Sequence, residues 1–139
     1  MLFRSIQAQI IQLLKRLARD HGTAVMLITH DMGVIAETAD RVAVMYAGRI
    51  AEIGPVREVF GAARHPYTAG LMGSIPKIRG TGALRAPLVQ IEGAMPRLNA
   101  IPAGCAFNPR CTKSFERCRL ERPALRPTGP NLTACWLYD

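Results

Sequence analysis

Two groups of residues have the types and spacing to do chemistry. The first closes the stretch "TAVMLITHD", where Ala24 to Ile28 are all apolar and Thr29, His30 and Asp31 follow directly. A histidine at the tip of an apolar run can donate to an anion, carry a proton or ligate a metal, or simply bond a neighbouring carbonyl. The second group is Cys105, Cys111, Cys118 and Cys135, spaced C-x5-C-x6-C-x16-C in the last quarter of the chain. Structural zinc sites usually begin with a tight pair of cysteines about two to four residues apart. The longer gaps here suit a larger object, an iron–sulfur cluster with one cysteine per iron, although they match no common ferredoxin spacing. Zinc comes second, and free thiols or disulfides third. "NPRC" and "FERCR" put Arg110, Arg117 and Arg119 beside the cysteines in sequence, and cationic neighbours lower a thiol's pKa and favour ligation.

The elements that position these residues follow from periodicity. Ile6, Ile10, Leu13 and Leu17 recur at helical spacing with Gln9, Gln12, Lys15, Arg16 and Arg19 opposite. The pattern predicts an amphipathic helix from Ser5, as its N-cap, to about Asp20, lying on a sheet and ended by Gly22 in a left-handed cap. Ala24 to Thr29 reads as a strand of the parallel type, apolar on both faces. Asp31 reads as the N-cap of a helix over Met32 to Ala39, a role preferred here to magnesium binding. Arg41–Tyr46 and Arg49–Ile53 form a hairpin over Ala47-Gly48. Pro55 opens a helix through Phe60, and Pro66 another through Ser74. Residues 76–104, rich in Pro and Gly, read as a linker or irregular arm. Helix, parallel-type strand, helix and hairpin describe an α/β domain, whose ligands sit beyond the carboxyl ends of the strands, where His30 stands.

Bulk properties narrow the classes. Hydrophobic residues make up 49% of the 139, enough for a core. No apolar run approaches the roughly 18 residues of a membrane span, and "MLFRSIQAQI" does not read as a signal peptide. Without an export signal, disulfides are disfavoured. The net charge is +8, but the 18 Lys and Arg are scattered rather than gathered in a stripe, so no nucleic-acid partner is expected. His21 and His65 read as a surface residue and a turn residue, Tyr46 and Phe60 as packing residues. Trp136 is expected to shield the cysteines or pack on the core.

The ordered series "SIQAQIIQLLKRLARDHGTAVMLITHDMGVIAETADRVAVMYAGRIAEIGPVREVF", "HPYTAGLMGSIP" and "GCAFNPRC…RC…ACWLYD" resembles the C-terminal half of the ATP-binding subunit of ABC transporters, in the oligopeptide and dipeptide importer branch. The resemblance covers residues 5–139. It implies the C-terminal half of an ABC-type nucleotide-binding domain over 5–75, the arm over 76–104, and a four-cysteine extension over 105–139. By the same resemblance His30 stands at the switch histidine that contacts the γ-phosphate of ATP, with Mg2+ held by the parent protein. Some members of the branch carry a [4Fe–4S] cluster on four such cysteines. The implied partners are a second ATP-binding subunit, identical or different, transmembrane permease subunits and, indirectly, a solute-binding protein, at the cytoplasmic face of the cell membrane.

The departures are equally informative. No Gly-x-x-x-x-Gly-Lys phosphate loop is present, nor an acidic pair after an apolar strand, nor the Gly-rich signature segment. The family places these before the helix at Ser5, so a truncated chain, inactive alone as an ATPase, is expected. Leu2-Phe3-Arg4-Ser5 can be back-translated as CTC TTC CGA TCT, the end of a widely used sequencing adapter, and the amino terminus is read as an assembly artefact. The competing reading is a stand-alone four-cysteine metal module that binds nucleic acid or protein. An enzyme with a cysteine nucleophile lacks an evident histidine beside the thiols.

Overall fold

A computed structural model describes residues 2–75 and 90–139, with the side chains of residues 2–5 and 7 left aside. Part of the expected arm, residues 76–89, lies outside the described residues. The chain divides into two units, residues 1–40 and 41–139, considered separately below.

In the first unit, helix α1 spans Leu2–His21. Ser5 is therefore inside the helix rather than at its cap, a correction to the expected start. The end is as the sequence indicates: Gly22 adopts φ +62°, and the amide of Thr23 reaches back to the carbonyl of Ala18 at 3.1 Å, satisfying a carbonyl the helix leaves free. The apolar positions Ile6, Ile10, Leu13 and Leu17 are all exposed, and this unit has no strand among its described residues for them to cover. The expected strand over Ala24–Thr29 is likewise absent. A strand forms by exchanging backbone hydrogen bonds with a neighbour, and none is available to it here. Met26 and Ile28 are 87% and 88% exposed, the signature of a segment built for burial and not buried.

Helix α2, Met32–Thr38, begins where Asp31 caps it. Its position beside α1 is marked by a hydrogen bond from Lys15 Nζ to the carbonyl of Glu37 at 2.5 Å.

The second unit is organised on a hairpin. Strands β1 (Arg41–Tyr46) and β2 (Arg49–Pro55) pair antiparallel, from Arg41 opposite Pro55 to Tyr46 opposite Arg49, with a register shift between Val44 and Met45. Ala47 and Gly48 make the two-residue turn with φ of 47° and 77°, the double positive φ that matches the twist of paired strands. Val44 and Tyr46 point inward while Arg41, Ala43 and Met45 are exposed, the alternation of a strand buried on one face. Helices α3 (Val56–Gly61) and α4 (Pro66–Ser74) follow, α3 burying Val56 and Val59, α4 burying Thr68.

Beyond residue 90 come a 3-10 turn at Asn108–Arg110, helix α5 (Glu116–Leu120), strands β3 (Arg126–Thr128) and β4 (Asn131–Thr133), and a 3-10 turn at Trp136–Tyr138. The sheet order is β1-β2-β4-β3, antiparallel throughout. The expected α/β architecture thus holds as helices with a sheet, but the sheet is a small antiparallel one, and the parallel strand end is not part of it.

Candidate functional site: a histidine turn and a four-cysteine cavity

His30 sits in a turn held on both sides by short hydrogen bonds. Thr29 Oγ1 accepts the amide of Asp31 at 3.0 Å. Asp31 Oδ1 accepts the amides of Gly33 at 2.9 Å and Val34 at 3.1 Å, so its carboxylate caps α2. Between these two brackets the His30 side chain is exposed, free to meet an incoming anion. His30 and the four cysteines belong to different units.

The cysteine region is built on an aromatic core. Tyr46, Ala51 and Phe107 are buried together, with Tyr67, Ile91, Cys105, Ala106 and Cys111 packed against them. The three rings meet edge-on or tilted, with centroids 4.7 Å apart for Tyr46–Tyr67, 5.2 Å for Tyr46–Phe107 and 5.4 Å for Tyr67–Phe107, geometry that aromatic quadrupoles favour.

All four cysteines line one cavity on the flank of this core, together with His65, Phe107 and Trp136. The backbone brings them there. Gly104 adopts φ +69°, and a Cβ on it would lie 2.4 Å from the carbonyl oxygen of Cys118. Only glycine permits this approach, which lets the Cys105 amide donate to that carbonyl at 2.8 Å. Ala134 donates to the Ala51 carbonyl at 2.8 Å, which fixes Cys135 at the end of β4. Asn108 Nδ2 donates to the carbonyls of Ala103 and Cys105.

Burial raises the thiol pKa values of Cys105, Cys111 and Cys135, and each of the three is pushed further by other cysteines of the group. The opposing influences are backbone hydrogen bonds at Phe107 and Asn108 for Cys105, at Lys113 for Cys111 and at Leu137 for Cys135. Each of these sulfurs is therefore met by the amide two residues further on, an arrangement that favours thiolate.

The expectation that Arg110 and Arg117 activate the thiols is corrected. Arg110 donates to the carbonyls of Ile91 and Glu92 and to Tyr46 Oη. Arg117 pairs with Glu121 and Asp139 and lies 3.6 Å from the centroid of the Trp136 ring. Guanidinium groups satisfied elsewhere do little for a thiolate. The positive charge that does act on Cys111 is that of Lys113.

Trp136 takes its expected place as a wall of the cavity, with Nε1 donating to the Glu121 carbonyl at 3.0 Å.

The donor set separates single ions from clusters. Four thiolates about 2.3 Å from one zinc ion stand about 3.8 Å from each other. Among the described residues, no three of the His, Cys, Asp and Glu side chains are placed to hold a metal ion. The four cysteines nevertheless line one cavity.

Two residues of this region were not legible as functional. His65, read as a turn residue, is 3% exposed and lies at the cavity wall. Its Nδ1 accepts the amide of Tyr67 at 3.1 Å and so caps α4. Burial drives its pKa down to about 4 against the opposing pull of Glu52. Glu52 is fully buried. Its Oε1 accepts from the Arg64 amide at 3.0 Å and Asn131 Nδ2 at 2.8 Å, and its Oε2 from the amides of Arg64 at 3.1 Å and His65 at 2.9 Å. The carboxylate thereby ties β2, β4 and the entry of α4 together. The His65-Pro66 pair ahead of an apolar helix was the available signal for a cap; for Glu52 no local signal existed.

Residues 51–118 match the C-terminal region of the oligopeptide/dipeptide transporter family. The chain is 45% identical over 136 residues to the dipeptide transport ATP-binding protein DppD of Bacillus subtilis (strain 168), covering 97% of this chain and 40% of that protein. It is 42% identical over 133 residues to the oligopeptide transport ATP-binding protein OppD of Haemophilus influenzae, covering 96% and 40%. With the OppD protein of Salmonella typhimurium it shares 43% over 133 residues, covering 95% and 38%. The chain thus spans about two fifths of the length of these relatives.

Proposed function

We propose that this chain is part of the ATP-hydrolysing subunit of a peptide importer, with His30 as the side chain that meets the terminal phosphate of ATP. The observation that carries the reading is the exposed His30 held between the Thr29 and Asp31 hydrogen bonds, in a chain similar over nearly its whole length to peptide-transport ATP-binding proteins. Phosphoryl transfer rests on positioning and on stabilising charge as it builds on the phosphate oxygens. An imidazole N–H fixed at a turn supplies that stabilisation, and Asp31, committed to the helix cap, keeps the turn rigid. ATP with Mg2+ supplies the transferred phosphoryl group. The partners that fit are a second ATP-binding subunit and transmembrane permease subunits, with a solute-binding protein acting through them. The site of action that fits these partners is the cytoplasmic face of the membrane, held there peripherally through the permease subunits.

The test is His30→Ala in the longer subunit that contains this sequence, assembled with its permease. Turnover is expected to fall by 10²-fold or more, the order seen when one charge-stabilising donor is lost, while nucleotide binding stays within a few-fold. Unchanged turnover would remove His30 from the site.

The cysteines support a second element of the same reading: Cys105, Cys111, Cys118 and Cys135 hold a [4Fe–4S] cluster, with zinc as the lesser alternative. The support is their shared cavity and the amides aimed at the sulfurs. Such a group supplies redox chemistry or a structural clasp for the 105–135 segment. Anaerobic purification with iron and sulfide analysis and a visible spectrum tests it. Four irons per chain, lost in Cys111→Ser, are expected, and a colourless, metal-free, folded protein refutes it.

A further inference from the structure

Two of the four thiols are set apart by their backbone. The Cys105 amide donates to the Cys118 carbonyl at 2.8 Å, and among the described residues no such bond joins Cys111 or Cys135 to another cysteine. Residues paired through a backbone hydrogen bond have Cα atoms about 5.5 Å apart, inside the roughly 4.4–6.8 Å that a disulfide spans. Both side chains line the same cavity, so a link between them needs no backbone movement. As the chain stands, all four cysteines are free, and among the described residues no three of the His, Cys, Asp and Glu side chains are placed for a metal ion. The two thiols differ in access. Cys118 is 8% exposed, whereas Cys105 is half-buried, with the amides of Phe107 and Asn108 at its sulfur. The cavity beside them has a volume of about 20 Å³. That is room for a water-sized molecule and too little for a bulky oxidant.

We propose that Cys105 and Cys118 are a modification site, a thiol pair that a small peroxide converts reversibly into a disulfide. The Cys105 thiolate attacks one oxygen of hydrogen peroxide. An S–O bond forms, the O–O bond breaks, and the departing hydroxide takes up a proton and leaves as water. The Cys118 sulfur then attacks the sulfenic sulfur of Cys105. The S–S bond forms, the S–O bond breaks, and the Cys118 proton leaves with the hydroxide as a second water. Two thiols thus lose two electrons, and one peroxide is reduced to two waters. The more accessible Cys105 meets the oxidant, and the buried Cys118 resolves it. The link needs metal-free sulfurs, so it is independent of the reading of the cysteines as iron ligands and competes with it for these two residues. Its effect is a clasp: the hydrogen bond between the segment after Gly104 and α5 gains a covalent tie, in a cavity that Trp136 also lines. Disulfides of this reversible kind are the ones found in reducing compartments.

The test uses the full chain, purified with a thiol reductant that is then removed without oxygen. Separate samples receive hydrogen peroxide or oxidised glutathione. Iron is measured, the remaining thiols are alkylated, and tryptic peptides are mapped by mass. Cleavage at Arg110, Lys113, Arg117 and Arg119 puts each cysteine on a peptide of its own, so every pairing is distinguishable. Hydrogen peroxide is expected to remove two of the four thiols and to yield a Cys105–Cys118 peptide lighter than its parts by two hydrogen atoms. Dithiothreitol should restore both thiols, and oxidised glutathione should leave them intact. Cys118→Ser is expected to lose the linked peptide and to leave Cys105 as a sulfenic acid that a dimedone probe traps, while Cys111→Ser still yields the link. The map of the wild-type chain decides the pairing even if Cys118→Ser does not fold. A different pairing, a sulfinic acid at Cys105 in place of the link, or four intact thiols in an iron-free chain overturns the proposal. An equal yield with oxidised glutathione overturns the route through the cavity. A chain that keeps iron and all four thiols under peroxide overturns the pair and supports the iron reading instead.

Discussion

Glu52 offers the sharpest test of how this region is held. Its carboxylate is the acceptor for two adjacent backbone amides and one side-chain amide, drawn from two distant parts of the chain, with no water-exposed surface. In Glu52→Ala the donors of Arg64, His65 and Asn131 lose their acceptor together. Each stranded donor costs about 1–3 kcal/mol, so the sum is about 3–9 kcal/mol, comparable with the roughly 5–15 kcal/mol that holds an ordinary domain together. Glu52→Gln is a different case. Its oxygen can serve the Arg64 and His65 amides while its NH2 donates to Asn131, provided that amide turns over. Asn131 Oδ1 is buried without a partner as it stands, so the turned arrangement pairs Oδ1 at the expense of Nδ2 and leaves the number of unpaired atoms unchanged. What is lost is the charge on the acceptor, about 1–2 kcal/mol. Urea unfolding followed by the fluorescence of Trp136, the single tryptophan, reads the unit that contains Glu52. With a slope of about 1–1.5 kcal/mol/M, Glu52→Ala should lower the midpoint by at least about 2 M or leave no folded baseline, and Glu52→Gln by about 1 M. An alanine variant within about 1 kcal/mol of wild type, or a glutamine variant as damaging as alanine, would refute the clasp.

Two further outcomes follow from the same geometry. His65 titrates near 4 when folded against 6.5 when free, so below pH 6.5 the unfolded chain binds a proton that the folded chain refuses. Stability is therefore full above about pH 6.5 and falls as the pH drops toward 4, by on the order of 3 kcal/mol; a flat urea midpoint over that window, or the same slope in His65→Gln, would contradict it. Gly104→Ala places a Cβ against the Cys118 carbonyl in a left-handed conformation, and the lost Cys105–Cys118 hydrogen bond adds to that strain. A destabilisation of about 2–4 kcal/mol with weakened iron uptake is expected, and wild-type unfolding would show the approach to be dispensable.

What could be read along the chain was whatever is decided within a few residues. Asp31 caps its helix because a carboxylate before Met32 reaches the free amides of Gly33 and Val34. Ala47-Gly48 turns the hairpin, and Pro66 opens α4, for equally local reasons. The exposed apolar run Val25–Ile28 shows the limit of that logic: its composition states that burial is intended, but pairing and cover come from elsewhere, and in this unit neither is present.

The remaining features are set by residues far apart. β3 and β4 are three residues each, one of them containing Pro127, with no apolar alternation to announce them. They exist because Glu52 pairs opposite Thr133 and Ile53 opposite Leu132. His65 became a wall of the cysteine cavity only through Glu52, 13 residues away, and the Phe107 ring. The four cysteines were visible by type and spacing, but their convergence depends on the Gly104–Cys118 approach and on the Ala134–Ala51 bond that carries Cys135 across from β4. The sequence by itself determined the caps, the turn, the hairpin and the list of thiols, because local backbone preferences act over one or two turns of chain. The tertiary structure alone decided which carboxylate is buried, which arginines turn away from sulfur and which imidazole lines the cysteine cavity, since burial and pairing are properties of segments brought together.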